Sequence, residues 1–279
     1  MPAPKNIMSR KPLASILIAS YNKEKFVKRC INSCLKQTYT NVEIIFVDDN
    51  STDKSFEIAK SFKKVKSFKK KNETKSRKFN TFYQIDTYLL ALKKSKGDFI
   101  FFLDSDDFFR KNKISELIKY FHQNKETNIL FDKPIIYFSK NDFYLSKKFD
   151  IKKNNFWPNF PPQSCICIKR SFLIKQINEI KKKNFNLLTL DFRLATLSSF
   201  IYKDFNLSNK HLTYYFQDKK GESHFKFKKF GFNWWLRREQ AFEYIEYLSK
   251  KYKKKYSHNI DYFLTSFISF NIKLIKKIL

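Results

Sequence analysis

The stretch Phe99-Ile100-Phe101-Phe102-Leu103-Asp104-Ser105-Asp106-Asp107 decides how this chain reads. Consecutive apolar residues without polar alternation are what a strand buried on both faces requires, as in the parallel sheets of α/β domains. The run stops abruptly in aspartates, and the two-residue period of a strand sets Asp104 and Asp106 on one face of its end. Two similar runs lie upstream. Leu13-Ala14-Ser15-Ile16-Leu17-Ile18-Ala19 exits into Ser20-Tyr21-Asn22, and Val42-Glu43-Ile44-Ile45-Phe46-Val47 exits into Asp48-Asp49-Asn50-Ser51. Between them Phe26/Val27, Cys30/Ile31 and Cys34/Leu35 recur at helical spacing and predict an amphipathic helix over 25–37. Further helices are predicted over 51–61, with Asp53 and Ser55 as N-caps, and over 80–94. Strands alternating with helices predict an α/β domain with a mixed, largely parallel central sheet, whose ligands bind beyond the carboxyl ends of the strands.

The second half is less regular. Helices are predicted over 112–123, 171–182 and 191–199, strands over 128–139 and 165–169, and a helical tail over 232–255 and 261–279. The expected organisation is one Rossmann-like domain over 1–230, made of halves 13–110 and 111–230, followed by a helical C-terminal extension over 231–279.

Composition narrows the function classes. Hydrophobic residues at 42% and aromatics at 18% exclude wholesale disorder, and 3 Gly beside 33 Phe exclude collagen-like and Gly-rich chains. The 57 Lys+Arg against 26 Asp+Glu leave a net charge of +31, which attracts nucleic acid, anionic lipid or phosphorylated substrates. The same richness in Lys, Phe, Ile, Asn and Tyr follows from an AT-rich coding sequence, so the charge is discounted as a signal. No RNP-type aromatic motif, Cys/His finger or basic region followed by heptads occurs, and no nucleic acid is expected as a partner. A nucleotidyltransferase would want a Gly-rich phosphate loop near the first strand, and Gly97, Gly221 and Gly231 all lie elsewhere. Cys30/Cys34 and Cys165/Cys167 lack zinc spacing and read as buried free thiols. The apolar run 13–20 is too short for a signal peptide, and the longest uncharged run near the end, 262–272, is far below the ~20 residues that span a bilayer. A soluble or peripheral, cytoplasmic protein is expected.

Acidic exits on successive strands are conspicuous in so basic a chain. Neighbouring carboxylates repel unless a cation sits between them, and an oxygen-rich site suits Mg²⁺ or Mn²⁺. Such an ion commonly keeps phosphate ligands, so a nucleoside diphosphate is a natural occupant.

Ile18-Ala19-Ser20-Tyr21-Asn22, the run from Val47 to Asp53 and Leu103-Asp104-Ser105-Asp106-Asp107 resemble, in order and spacing, the three landmarks of family 2 glycosyltransferases with the GT-A fold. The likeness covers 13–110 well and 111–225 loosely. It implies transfer, with inversion, of a sugar from a nucleotide-sugar donor, UDP-sugar foremost, to an acceptor hydroxyl of an envelope glycan or lipid-linked glycan. It also implies Mn²⁺ or Mg²⁺, with 13–110 as the nucleotide-sugar-binding half and 111–230 as the acceptor half. Ser20, Tyr21 and Asn22 would line the donor pocket, and Asp49, ahead of Asp48, would accept a hydrogen bond from the base. Asp104 and Asp106 would hold the metal, Asp106 most directly, with Ser105 and Asp107 on the donor side. Leu190-Asp191-Phe192-Arg193-Leu194 stands where the family places its catalytic base, making Asp191 the candidate, although the usual Glu-Asp pair is reduced to Leu-Asp. Asp191 as a simple helix N-cap is the alternative. The segment 214–224 resembles the loop that closes over the diphosphate, with His224 a third metal ligand or phosphate contact and Lys219 or Lys220 neutralising charge. The stretch 77–82 lacks the glycine the family usually carries there. Two other readings stand beside this one, a catalytically inactive scaffold of the same fold and a basic nucleic-acid-binding protein.

The last predicted helix sets Phe263, Phe267, Phe270, Leu274 and Ile278 along one stripe, with Lys273, Lys276 and Lys277 near its end. The stripe would either lie on an anionic membrane, giving a peripheral position at its inner face, or pack onto the catalytic domain. Trp234-Trp235 with Arg237-Arg238 divides the same way between interface and core.

Overall fold

A computed structural model describes residues 11–70, 81–146, 159–217 and 228–278. The three apolar runs form β1 (Ala14–Ser20), β2 (Val42–Asp48) and β4 (Phe99–Asp104), with β3 (Val65–Lys69) beside β2. All four are parallel neighbours in the order β3-β2-β1-β4. Their apolar continuity has a plain cause, since successive side chains enter different cores. Leu17 and Ala19 of β1 point into one cluster with Ile45, Tyr88 and Phe102, while Ile16 and Ile18 join Val27, Ile31 and Phe46 on the other side. The helices α1 (Glu24–Leu35), α2 (Ser55–Lys60) and α3 (Phe82–Lys94) connect these strands. Chain order reverses at β1, which has β2 on one side and β4 on the other, and such a switch point opens a crevice at the carboxyl ends. Register carries the polar exits there together, pairing Ser20 with Asp48 and Ala19 with Asp104.

Beyond β4 the sheet turns mixed. It continues through β8 (Ile166–Lys169), β6 (Ile129–Ser139), β9 (Asn206–Phe216) and β5 (Phe108–Phe109), with β7 (Asp142–Leu145) on β6. Strand β8 runs antiparallel to both β4 and β6, and β9 runs parallel to β6. Gly97 precedes β4 where a Cβ would come within 2.7 Å of the Ser15 backbone nitrogen, so that close approach excludes any side chain. The predicted helix over 51–61 shrinks to α2 because the residues before it form a turn around Asn50, at φ 61°. The predicted helix over 191–199 is α6 (Leu190–Thr196), which loosens into a π turn over Leu197–Ile201. Strand β9 was not expected from the sequence, and it takes residues 214–216 out of the loop reading given to 214–224.

Helices α4 (Lys113–Gln123) and α5 (Arg170–Ile180) complete the layers, and all four cysteines are buried free thiols. Helix α7 (Phe232–Tyr252) sends Ala241, Tyr244 and Leu248 into the same cluster as Phe185, Leu188 and Phe192. Helix α8 (Ile260–Ile278) lies on α7 through Thr265, Ser269 and Ile272, all buried. Its Phe263, Phe267, Phe270 and Leu274 are exposed, so the stripe does not pack onto the domain. The reason lies on α7, whose Arg238, Glu239 and Trp235 carbonyl offer polar partners that select the hydroxyl-bearing side of α8. Among the described residues no helix is long and apolar enough to cross a membrane.

One ion pair is sealed inside the mixed half. Lys113 Nζ and Asp132 Oδ1 are 2.6 Å apart and fully buried, and Lys113 also donates to the Ser164 carbonyl at 2.7 Å and Thr213 Oγ1 at 2.5 Å. All three ammonium protons are thereby used, and Asp132 Oδ2 accepts from Thr213 Oγ1 and the Leu212 N–H. Asp132→Ala strands a buried ammonium. We expect a stability loss of about 3–5 kcal/mol in urea titration, with a Tm drop on the order of 10 °C. A change under about 2 °C would show the pair to be dispensable.

Candidate active site

The crevice is assembled from loops that tie themselves together before any ligand arrives. Asn22 and Asn50 sit at φ 50° and 61°, a left-handed conformation that asparagine tolerates better than branched residues. Asp48 is fully buried and spends both oxygens on Ser51, accepting its hydroxyl at 2.5 Å and its N–H at 2.8 Å. Ser51 Oγ in turn accepts the Asn22 N–H at 2.9 Å, and Asn22 Oδ1 accepts the Thr52 N–H at 2.9 Å. Asp53 accepts the N–H of Glu24 at the start of α1 and that of Ser55, each at 3.0 Å, so it supplies a missing acceptor to α1 as well as to its own helix. Asp49 is buried beside Lys70, 3.2 Å away, and Lys70 reaches on to Asp86 at 2.8 Å. Ser105 Oγ donates to Ser20 Oγ at 3.0 Å, both buried, while Tyr21 stands at the rim, 39% exposed.

The aspartates after β4 divide into separate tasks. Asp104 Oδ1 accepts from Tyr88 Oη at 2.8 Å, Gln84 Nε2 at 2.8 Å and Gln163 Nε2 at 3.1 Å. Asp106 faces the crevice with Oδ2 2.7 Å from Lys23 Nζ, and its carbonyl accepts from Arg29 at 2.7 Å. Asp107 is 1% exposed, with Oδ2 accepting from Ser164 Oγ at 2.5 Å and Oδ1 from the Phe216 N–H at 2.8 Å. Its carboxylate therefore ties β4, β9 and the Gln163–Cys165 turn beneath the crevice floor. Burial, then repulsion from Asp106, pushes the Asp104 carboxyl up to about 7, and burial with both neighbours pushes Asp107 well above the usual carboxylate range. The cluster is short of positive charge.

Asp191 is the second residue of α6, after the N-cap Thr189, and its Oδ1 accepts the Phe192 N–H at 2.7 Å. It does not occupy the cap position. Its charge adds to the repulsion felt by Asp104. Tyr215 of β9 lies among Asp107, Asp191 and Asp104, and burial reinforced by those charges raises its hydroxyl well above the ordinary value. Arg237 of α7 donates to Thr189 Oγ1 at 3.1 Å; burial lowers its guanidinium against the favourable charges of Asp191 and Tyr215.

Thus the charges of Asp106 and Asp191 both act on Asp104, while Ser20, Tyr21, Asn22 and Asp49 lie at the β1 and β2 exits and Ser105 at the β4 exit. His224, Lys219, Lys220 and residues 77–80 lie outside the described residues. Sequence reasoning missed Lys23, Gln84, Tyr88, Gln163, Tyr215 and Arg237. The one usable signal was Gln84 and Tyr88 at helical i,i+4 spacing on the apolar side of α3.

The residues present suit a hard divalent cation. The donors are carboxylate oxygens, and burial followed by repulsion from Asp106 holds the Asp104 carboxyl above its ordinary value, an environment that a cation would relieve. Among the described residues no three His, Cys, Asp or Glu side chains converge as a finished metal cluster. Asp104 and Asp106 would therefore hold an ion in part only, leaving positions for phosphate or water.

A carboxylate-lined crevice at the β1/β4 switch point, closed by a mixed half, defines the GT-A class of α/β domain. Residues 15–205 match the family model of Glycosyl transferase family 2, and the chain belongs to that family. An uncharacterized glycosyltransferase of Haemophilus influenzae is 36% identical over 118 residues, covering 40% of this chain and 44% of that protein. The UDP-Glc:alpha-D-GlcNAc-diphosphoundecaprenol beta-1,3-glucosyltransferase WfaP of Escherichia coli is 34% identical over 140 residues, covering 50% of this chain and 49% of its own. The matches thus span about half the length of these curated relatives. Among solved structures, S. aureus TarS 1-349 in complex with UDP-GlcNAc superposes with a TM-score of 0.59 at 16% identity, over 83% of this chain and 66% of that one. Mannosyltransferase PcManGT from Pyrobaculum calidifontis, in complex with GDP-Man and Mn²⁺, gives 0.54 at 13% identity over 91% and 68%. Both likenesses establish the fold.

Tyr88→Phe keeps the ring against Phe102 and removes one of the three donors to Asp104. Loss of such a supporting bond should weaken Mn²⁺-dependent nucleotide binding by about tenfold in titration calorimetry. An unchanged affinity would mean that Asp104 needs no orientation from α3.

Proposed function

We propose that this chain is a glycosyltransferase that moves a sugar from a nucleoside-diphosphate donor, UDP-sugar foremost, to an acceptor hydroxyl with inversion. The observation that supports the reading is that Asp104, at the end of β4, feels the charges of both Asp106, two residues on, and Asp191 of α6. A divalent cation at Asp104 and Asp106, Mn²⁺ or Mg²⁺, would supply charge stabilisation to the departing diphosphate. The protein's own residues do the rest. Ser20, Tyr21, Asn22 and Asp49 line the nucleotide side, Ser105 and Asp107 hold the β4 exit in place, and Lys23 balances Asp106. Asp191 takes the proton of the acceptor hydroxyl as its oxygen bonds to the anomeric carbon and the bond from that carbon to the diphosphate oxygen breaks. Arg237 donates to Thr189, the N-cap of α6, and so holds the helix start that carries Asp191.

The names of the relatives support the substrate classes. WfaP is a UDP-Glc transferase acting on a diphosphoundecaprenol-linked sugar, TarS is seen with UDP-GlcNAc and PcManGT with GDP-Man. A glycan or lipid-linked acceptor follows by likeness, and with it a cytoplasmic chain peripheral to the inner face of the membrane.

Thermal unfolding with UDP, GDP, CMP and ADP, each with and without Mn²⁺, tests the donor side. One nucleotide should raise Tm only with the metal, and Asp106→Ala should abolish the rise. Asp191→Asn should keep that rise and lower the transfer rate by about 10²–10⁴-fold. No shift with any nucleotide would sink the proposal, and full activity of Asp191→Asn would remove the base from it.

A further inference from the structure

Helix α8 is mounted with its polar side inward. Thr265, Ser269 and Ile272 are buried against α7, held by Ser269 Oγ donating to the Trp235 carbonyl, Arg238 bonding both Thr265 and Asp261, and Lys273 paired with Glu239 at 2.7 Å. The opposite side presents Ile260, Phe263, Phe267 and Phe270 at 87%, 62%, 69% and 60% exposure, continued by Leu274. Monomeric soluble proteins seldom leave so contiguous an apolar stripe in water, because transfer of such side chains to an apolar phase is favourable.

We propose that this outward face of α8 docks the protein onto an anionic bilayer surface, lying in the interface rather than crossing it. The charges around the stripe choose the occupant. Asp261 is the one acidic residue in the helix, and Arg238 already neutralises it. Exposed Lys253, Lys254 and Lys255 lie five to seven positions before the helix start at Ile260, and exposed Lys276 lies near its other end. An apolar face bordered by lysines matches acyl chains beneath anionic headgroups. A symmetric pairing of two copies would instead bring both lysine sets together in a chain already carrying +31. The placement also has a use. Arg237 of α7 reaches Thr189, the N-cap of the helix that carries Asp191, and the next residue, Arg238, holds α8, so α7 links the docking helix to the start of α6. The inference deepens the peripheral placement proposed above and is separable from the donor site, which nucleotide binding reports on its own.

Co-sedimentation of the full chain with phosphatidylcholine vesicles, with and without about 30% phosphatidylglycerol, tests it. The parent protein should bind the anionic vesicles, and the partition coefficient should fall about tenfold in Phe263→Ser/Phe267→Ser/Phe270→Ser. It should fall severalfold in Lys253→Gln/Lys254→Gln/Lys255→Gln and in about 0.5 M salt, which screens the charge term. The Tm and its nucleotide-dependent rise should be retained in both variants, showing that the fold and donor site are intact. Equal vesicle binding by the serine variant, or none by the parent, would overturn the proposal. A parent dimer in sedimentation velocity that the serine variant converts to monomer would assign the face to a second copy and overturn it equally.

Discussion

Asp104, Asp106 and Asp107 leave β4 within four positions, and the architecture around them follows from keeping so much negative charge in place. Asp107 is turned beneath the floor and held by Ser164 and the Phe216 N–H, so the third carboxylate is withdrawn from the crevice. Ser164 serves twice, since its Oγ also accepts the Asp104 N–H at 3.0 Å and fixes where the strand ends. The Ser164 carbonyl is held in turn by the Lys113 ammonium, whose partner Asp132 is equally buried. A buried pair of this kind is a weak contributor to net stability and a strong specifier of position, because either partner alone is costly. The mixed half of the sheet thus fixes the β4 exit through one serine.

Positive charge reaches the crevice from its walls. Lys23 meets Asp106 from the start of α1, and Lys70 lies between Asp49 and Asp86 after β3. Arg29 holds the Asp106 carbonyl with its guanidinium over the rings of Phe108 and Tyr137, 4.5 and 5.0 Å from their centroids. Packing against aromatic faces orients an arginine without neutralising it, so its charge still acts on the strand exit. The local balance matters more here than the overall +31. Asp104 remains raised in spite of these cations, by burial first and then by Asp106, at the place where the ion of the diphosphate is proposed to sit.

The β1, β2 and β4 exits were legible because a strand buried on both faces must be apolar throughout, and the first polar residue after it marks the sheet's edge. That logic located Ser20, Asp48, Asp49, Asp104 and Asp106 to the residue. It could not rank the aspartates, since adjacent carboxylates look alike in a sequence and only tertiary partners send Asp107 and Asp48 inward. Gln84, Tyr88 and Gln163 were invisible for the same reason. Three side chains from α3 and a short turn converge on one oxygen, and no local pattern records a meeting across 59 positions. Strand β9 was hidden by its composition. Asn206-Leu207-Ser208-Asn209-Lys210 alternates too weakly to announce a strand, and pairing with β6 supplies what intrinsic preference does not.

Helix α8 shows how an amphipathic pattern specifies a helix without saying which face turns inward. The periodic phenylalanines identify the helix, and by the usual rule they would face the core. The partner surface decides otherwise. At the α8 contact, α7 presents Arg238, Glu239 and the Trp235 carbonyl, which a phenylalanine could only desolvate. Thr265 and Ser269 satisfy those groups, and the apolar face is left outward as a consequence. The hydrophobic part of α7 is already spent on the domain, where Tyr244 packs against Phe185 and Phe192. The side of α7 that meets α8 is largely polar, with Phe242 against Tyr262 as an aromatic contact, and it draws the hydroxyl-bearing side of α8 inward. An exposed aromatic stripe is therefore built into the order of packing, and the same order sets it one helix away from Asp191.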